Sequence, residues 1–95
     1  MAERIELSGA ETQSLGIVDS HKQGIAVKVA ADADLDSGTL TISAKLPSEV
    51  NGNAEALDAT LTAGDSATYT VGSGMELIAT TDGASASVEI LVGQY

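Results

Sequence analysis

Three aspartates at alternate positions, Asp32, Asp34 and Asp36, lie in the stretch ADADLDSG. Carboxylates at this spacing are typical of calcium loops, in which oxygens at positions 1, 3 and 5 coordinate the ion. Counting from Asp32, position 6 is Ser37 where an EF-hand has glycine, and position 12 is Ser43 where it has glutamate. The two residues that most define the EF-hand pattern are therefore missing.

The surroundings of the aspartates also differ from those of an EF-hand, because strand-like alternation lies on both sides and no helix pattern flanks them. The sequence favours a hairpin connection in which aspartate side chains accept backbone N–H bonds and Gly38 adopts a positive φ. A weak cation site at Asp32, Asp34 and Asp36 stays open as the alternative, since a divalent ion would relieve repulsion among the three carboxylates.

No other residues form a pattern that predicts catalysis or cofactor binding. His21 is the one histidine and the chain has no cysteine, so a zinc set cannot be assembled. The stretch GSGMEL (72–77) lacks the spacing and the Lys-Ser/Thr pair of a phosphate-binding loop, which favours a plain turn. We therefore predict no enzyme and no cofactor.

The composition narrows the possible partners. Four Lys/Arg against fourteen Asp/Glu give a formal charge of −10, which argues against nucleic-acid binding by phosphate neutralisation. The first residues carry charges and no apolar run like a signal-peptide core, and no stretch is apolar for long enough to span a membrane. With no Phe or Trp, small aliphatic residues must form the core, and association would help stabilise so thin a domain.

Alternation with period two dominates from residue 24 onward and predicts strands with one buried face. In GIAVKVA the residues Ile25, Val27 and Val29 are expected to point inward and Lys28 outward. Another inward set is expected in the next strand: Leu40, Ile42, Ala44 and Leu46. The remaining predicted strands are RIEL (4–7), LDATLT (57–62), SATYTV (66–71), MELIATT (75–81) and SASVEILV (85–92).

Between these strands lie short turn sequences and one longer loop, predicted over residues 47–56. The turns AGD (63–65), GSG (72–74) and DGA (82–84) contain residues that tolerate positive φ, as hairpin connections require. About seven strands and no substantial helix predict a single all-β domain over residues 1–95. Its expected fold is a small antiparallel β-sandwich, immunoglobulin-like or jelly-roll-like.

Residues 8–23 fit this scheme least well, because Leu15, Ile17 and Val18 are apolar but not periodic. One interpretation is an irregular extra strand or ordered loop. The other is that residues 1–22 combine an N-terminal strand with an arm over 8–22 that orders only on a partner. On the second interpretation these three residues are interface candidates.

Two further aliphatic residues are expected on outward faces. If Leu77 points inward then Ile78 points outward. In the last strand, if Ile90 points inward then Leu91 points outward beside Glu89. Because the last two predicted strands would form a hairpin, Ile78 and Leu91 could share one patch that meets a neighbour.

The chain has a leader IELSGAE, a strand after DSGTLTI and a run TLTAGDSATYTVGSGMELIATTDGASASVEILV. Together these features resemble small β-sandwich proteins of tailed-bacteriophage virions. Such proteins serve as head decoration (cement) proteins or as neck and tail accessory proteins. The resemblance implies a virion protein made in the host cytoplasm that binds the major capsid protein or another virion protein. It also implies a homo-oligomer, with a trimer favoured. An immunoglobulin-like binding or adhesion module is the alternative.

Overall fold

The computed structural model describes residues 3–45 and 54–95, and these form eight β-strands and no helix. The strands are β1 (Glu3–Ser8), β2 (Thr12–Ile17), β3 (Gly24–Val29), β4 (Leu40–Lys45), β5 (Glu55–Leu61), β6 (Ser66–Thr70), β7 (Glu76–Thr81) and β8 (Ser87–Gln94). Strand β2 lies in the aperiodic segment before residue 24, as the irregular-strand interpretation of residues 8–23 expected.

Two four-stranded sheets form the sandwich. The first sheet has the order β1-β8-β3-β6 and the second sheet has the order β2-β7-β4-β5. All pairs are antiparallel and they nest, with β1 beside β8, β2 beside β7, β3 beside β6 and β4 beside β5. The chain is thus one long antiparallel ribbon rolled on itself, with the β3–β8 and β4–β7 pairs closing the two sheets. This arrangement is the eight-stranded jelly roll. The predicted antiparallel sandwich is confirmed in its jelly-roll form.

The core between the sheets consists of small aliphatic side chains, as the composition required. The residues predicted to point inward are buried, and Ile25, Ile42, Leu77 and Ile90 are each 0% exposed. Full burial of one such side chain stabilises the fold by roughly 1.5–3 kcal/mol. The predicted inward residue Leu46 and most of the predicted loop over 47–56 lie outside the described residues.

The short glycine-containing turns do not close hairpins, and that prediction is wrong. Residues 63–65, 72–74 and 82–84 each carry the chain from one sheet to the other. The ribbon stays paired through these corners: the Gly74 N–H donates to the Val18 carbonyl at 2.7 Å, and the Val71 N–H donates to the Gln23 carbonyl at 3.0 Å. Gly74 has a φ of +86°, so the conformational freedom expected of the turn serves to bend a paired ribbon.

At another corner, the β3–β4 connection packs closely against the β7–β8 connection. A Cβ atom on Gly83 would overlap the carbonyl oxygen of Leu35, and one on Gly38 would overlap the Asp82 carboxylate and the Gly83 backbone. Both glycines are therefore required by the close approach of two backbones. The predicted positive φ at Gly38 is not observed.

The N-terminal segment is part of the sandwich. Strand β2 pairs with β7 along its length, and Leu15 and Val18 are 3% and 1% exposed within the core. An outward-reaching arm over 8–22 is therefore the wrong interpretation, because the domain's own sheets bury Leu15 and Val18. A register shift between Ser14 and Gly16 inserts an extra residue into β2, which explains why the segment lacks a clean period of two.

Candidate protein-binding face

The aspartate-rich stretch forms the connection from β3 to β4, and two of its carboxylates bond backbone N–H groups. Asp34 Oδ1 accepts the Asp36 N–H at 2.8 Å, and Asp36 Oδ2 accepts the Ser85 N–H at 2.7 Å. Asp36 and Ser37, with φ values of +51° and +61°, supply the left-handed conformation that had been expected of Gly38. The predicted capping role of aspartate is thus observed, in a connection that crosses between sheets.

In the described part of the chain, no three His, Cys, Asp or Glu side chains, Asp32 included, converge where a metal ion could be held. We expect millimolar calcium to raise the melting temperature no more than magnesium does, because Asp34 and Asp36 already bond the backbone. Thermal unfolding followed by circular dichroism would check this. A calcium-specific increase that Asp34→Ala abolishes would contradict it, since a ligand specific to the folded state must stabilise that state.

The other two sequence candidates are surface features. His21 is exposed in the turn between β2 and β3. In the GSG turn, the Gly74 N–H is already donated to Val18, and the Met75 N–H is donated to the Gly72 carbonyl at 3.3 Å. These two N–H groups serve the corner between β6 and β7, as expected of a plain turn.

Among the predicted interface residues, Leu15 and Val18 are core residues and cannot contact a partner while the domain is folded. Their prediction as interface residues is corrected for that reason. Ile17 ends β2 opposite Glu76 and is 55% exposed, so it remains available to a partner.

Ile78 and Leu91 both point outward, but they do not share a patch. Ile78 lies on β7 in the second sheet and Leu91 lies on β8 in the first sheet, so the two side chains project from opposite faces of the sandwich. The single-patch prediction fails because residues 82–84 cross between sheets. Each residue must therefore be considered with its own surroundings.

Around Ile78 the outer face is polar. Its register partners are Ser14 on β2 and Ser43 on β4, and Ile78 itself is half-buried. Nearby, Glu76 accepts a hydrogen bond from Ser14 Oγ at 2.7 Å and forms an ion pair with Lys45 Nζ at 3.1 Å. The hydrogen bond from Ser14 is the main cause that holds the pKa of Glu76 below its usual range, and the contact with Lys45 is the next largest. This face offers mainly hydroxyl groups and satisfied charges.

Around Leu91 the outer face of the first sheet is more apolar. Ala26 and Gly93 are register partners at the centre of the sheet, and Ala26 is also opposite Thr68 on β6. The small side chain of Ala26 and the absence of one at Gly93 leave a shallow depression of about 490 Å³, bordered by Leu91, Lys28 and Thr68. Leu91 is 40% exposed at its rim. We call these five residues the Leu91 depression.

Basic residues flank the Leu91 depression, although the chain is strongly acidic. Arg4 on β1 and Lys28 on β3 are the two register partners of Leu91, and they are two of the four Lys/Arg residues in the chain. Arg4 Nε lies 3.3 Å from Glu89 Oε1. The surface around Leu91 is therefore less negative than the rest of the protein surface, and a partner approaching there meets less negative charge.

Sequence reasoning identified Leu91 but missed the floor of the depression and the residues that hold it. Gly93 could have been noticed as a glycine that interrupts an alternating strand, which often marks a close approach. Beside it, the Gln94 side chain accepts the Asp19 N–H at 2.9 Å and donates to the Ile17 carbonyl at 2.8 Å. That amide fixes the end of β8 against the β2–β3 connection.

Compared with known protein families and curated protein sequences, the chain matches no family model and no individual protein. Within the described residues, no helix is long and apolar enough to cross a bilayer.

Proposed function

We propose that the protein is a structural protein of a tailed-phage virion, most specifically a capsid decoration protein that binds the head shell through the Leu91 depression. The observation that carries the proposal is an exposed leucine beside a floor of small residues on an otherwise regular sheet. Small and aliphatic residues exposed together on one sheet face make this surface a candidate for protein contact.

Two further features support a role in protein contact. Arg4 and Lys28 beside Leu91 reduce repulsion of an acidic partner surface, in a chain whose formal charge is −10. The jelly roll also occurs among viral capsid domains, and this likeness of fold supports the virion role by analogy. Many copies bound over joints between shell subunits would stabilise the shell by linkage, since they bind only its assembled state.

The proposal is tested by co-sedimentation of the purified protein with expanded shells of the phage that encodes it. We expect saturable binding in a fixed ratio to shell subunits. Leu91→Ser should weaken binding by about 5- to 150-fold, because losing an interface aliphatic costs roughly 1–3 kcal/mol.

Ile78→Ser is the matched control, because it makes the same change at an outward position on the opposite face. It should leave shell binding unchanged. Equal binding by the Leu91→Ser variant and the wild type would remove the depression from the interface. Binding to purified necks or tails and not to shells would instead assign the protein to the accessory class.

A further inference from the structure

We propose that the free edge of β6 is a homodimerisation site, at which two copies join their first sheets into one continuous antiparallel sheet. This inference does not depend on the proposed virion role. It rests on how the four edge strands differ, on which backbone groups β6 leaves unpaired, and on the register that its sequence allows.

Three of the four edge strands carry features that oppose edge-to-edge pairing. Strand β1 carries charges at Glu3, Arg4 and Glu6, and β2 is bulged near Gly16, which has a φ of +107°. Strand β5 shows two register shifts against β4. Charges and bulges of this kind are the usual protection of sheet edges.

Strand β6, with the sequence SATYT, has neither kind of protection. It contains no charged residue and no proline, and it pairs with β3 in an unbroken register. On its inner side, Tyr69 OH donates to Asp58 Oδ2 on β5 at 3.0 Å, which holds the two edge strands together. The edge is therefore ordered before any partner arrives, which reduces the entropy lost on association.

The hydrogen bonds at each end of β6 show which backbone groups face outward. The Val71 N–H donates to the Gln23 carbonyl at 3.0 Å, and the Val29 N–H donates to the Asp65 carbonyl at 2.8 Å. Because bonding alternates along an antiparallel strand, odd-numbered residues of β6 bond to β3 and even-numbered residues point away. In the described part of the chain no strand lies on that outer side, which leaves three residues with unpaired backbone groups: Ser66, Thr68 and Thr70.

A two-fold axis at Thr68 pairs all three of these residues with a second copy. Thr68 then faces Thr68 of the second copy and Ser66 faces its Thr70, giving about six backbone hydrogen bonds. On the inner face, Ala67 lies opposite Tyr69 of the second copy, so that a small side chain meets a large one. Moving the axis to either neighbouring residue leaves one of the three unpaired. The pairing closes at two copies, unlike the trimer that the resemblance implied.

The same register joins the two Leu91 depressions. Gly93, Ala26 and Thr68 lie side by side on β8, β3 and β6, so pairing at Thr68 continues this row into the second copy. The dimer therefore presents one extended trough of small residues across its axis.

Cysteine cross-linking of the full chain provides the test, because the protein has no cysteine of its own. Paired residues at bonded positions have Cα atoms about 5.5 Å apart, which suits a disulfide. Thr68→Cys should form a disulfide-linked dimer under mild oxidant at least tenfold faster than Thr12→Cys. Thr12 is the matched control, because it is an exposed threonine on the edge strand β2.

The register is tested by mixing two variants. Ser66→Cys mixed with Thr70→Cys should cross-link, whereas Ser66→Cys alone should not, because its two copies would lie about 13 Å apart. For the unlinked protein, Thr68→Pro removes an outward N–H and should weaken dimerisation at least tenfold in sedimentation equilibrium, while Thr12→Pro should not.

A wild-type protein that stays monomeric at millimolar concentration would overturn the proposal, as would a trimer. Equal cross-linking rates for Thr68→Cys and Thr12→Cys would also overturn it. Shell binding by a monomer would leave the virion role intact while excluding the dimer, so the two proposals can fail separately.

Discussion

Leu15→Ala is expected to lower the free energy of unfolding by about 2–5 kcal/mol, a large share of the stability of a domain this size. Leu15 is 3% exposed and lies between the sheets on the bulged strand β2, where its loss would leave a cavity. Urea unfolding followed by far-UV circular dichroism measures the change.

Ile17→Ala is the control from the same strand. Ile17 is 55% exposed, and its replacement should change stability by no more than ~0.5 kcal/mol. If the two variants unfolded at the same urea concentration, β2 would not be packed in the free protein and the arm interpretation would be restored.

Deleting residues 1–22 should abolish folding, because it removes two strands together with Leu7, Leu15 and Val18.

Gly83→Ala is expected to destabilise the fold by about 1–3 kcal/mol, although it adds a single methyl group. The new Cβ would overlap the Leu35 carbonyl oxygen, and because that atom belongs to the backbone, the β3–β4 connection would have to move. The midpoint of thermal unfolding measures the effect.

Gly72→Ala provides the comparison, because a Cβ at Gly72 meets nothing within 4 Å and its φ is not left-handed. This change should be neutral or should stabilise the protein by up to ~1 kcal/mol, through a less flexible unfolded chain. Equal destabilisation by both variants would show that loss of glycine flexibility, and not contact with Leu35, is responsible.

Strand positions and facing were predictable from the sequence because alternation is a local signal. The inward placement of Ile25, Ile42 and Ile90 and the outward placement of Leu91 followed from period two alone. For β2 the sequence left a strand and an arm both open, because the bulge at Gly16 breaks that period. Leu15 and Ile17 lie two positions apart, so a strict period of two predicts the same facing for both. The inserted residue changes this, and Leu15 is buried while Ile17 is exposed.

The connectivity was not predictable, because a glycine turn permits a hairpin and a crossing between sheets equally well. Which occurs depends on partners far away in sequence, as in the bond from Gly74 to Val18. Placing Ile78 and Leu91 on one patch failed for this reason. The floor of the Leu91 depression was missed likewise, since Ala26 and Gly93 become neighbours only when β3 pairs with β8.

The nested pairing of the strands also bears on the order in which the protein folds. Strands β4 and β5 are adjacent along the chain, whereas β1 and β8 come from opposite ends of the described residues. Loop-closure entropy makes β4–β5 the easiest pair to form first, and each completed pair then shortens the loop that the next must close. Folding by zippering outward from β4–β5 replaces one very long closure by several short ones. All-β proteins with many contacts between residues distant in sequence usually fold slowly. Zippering from β4–β5 would let this protein fold faster than that.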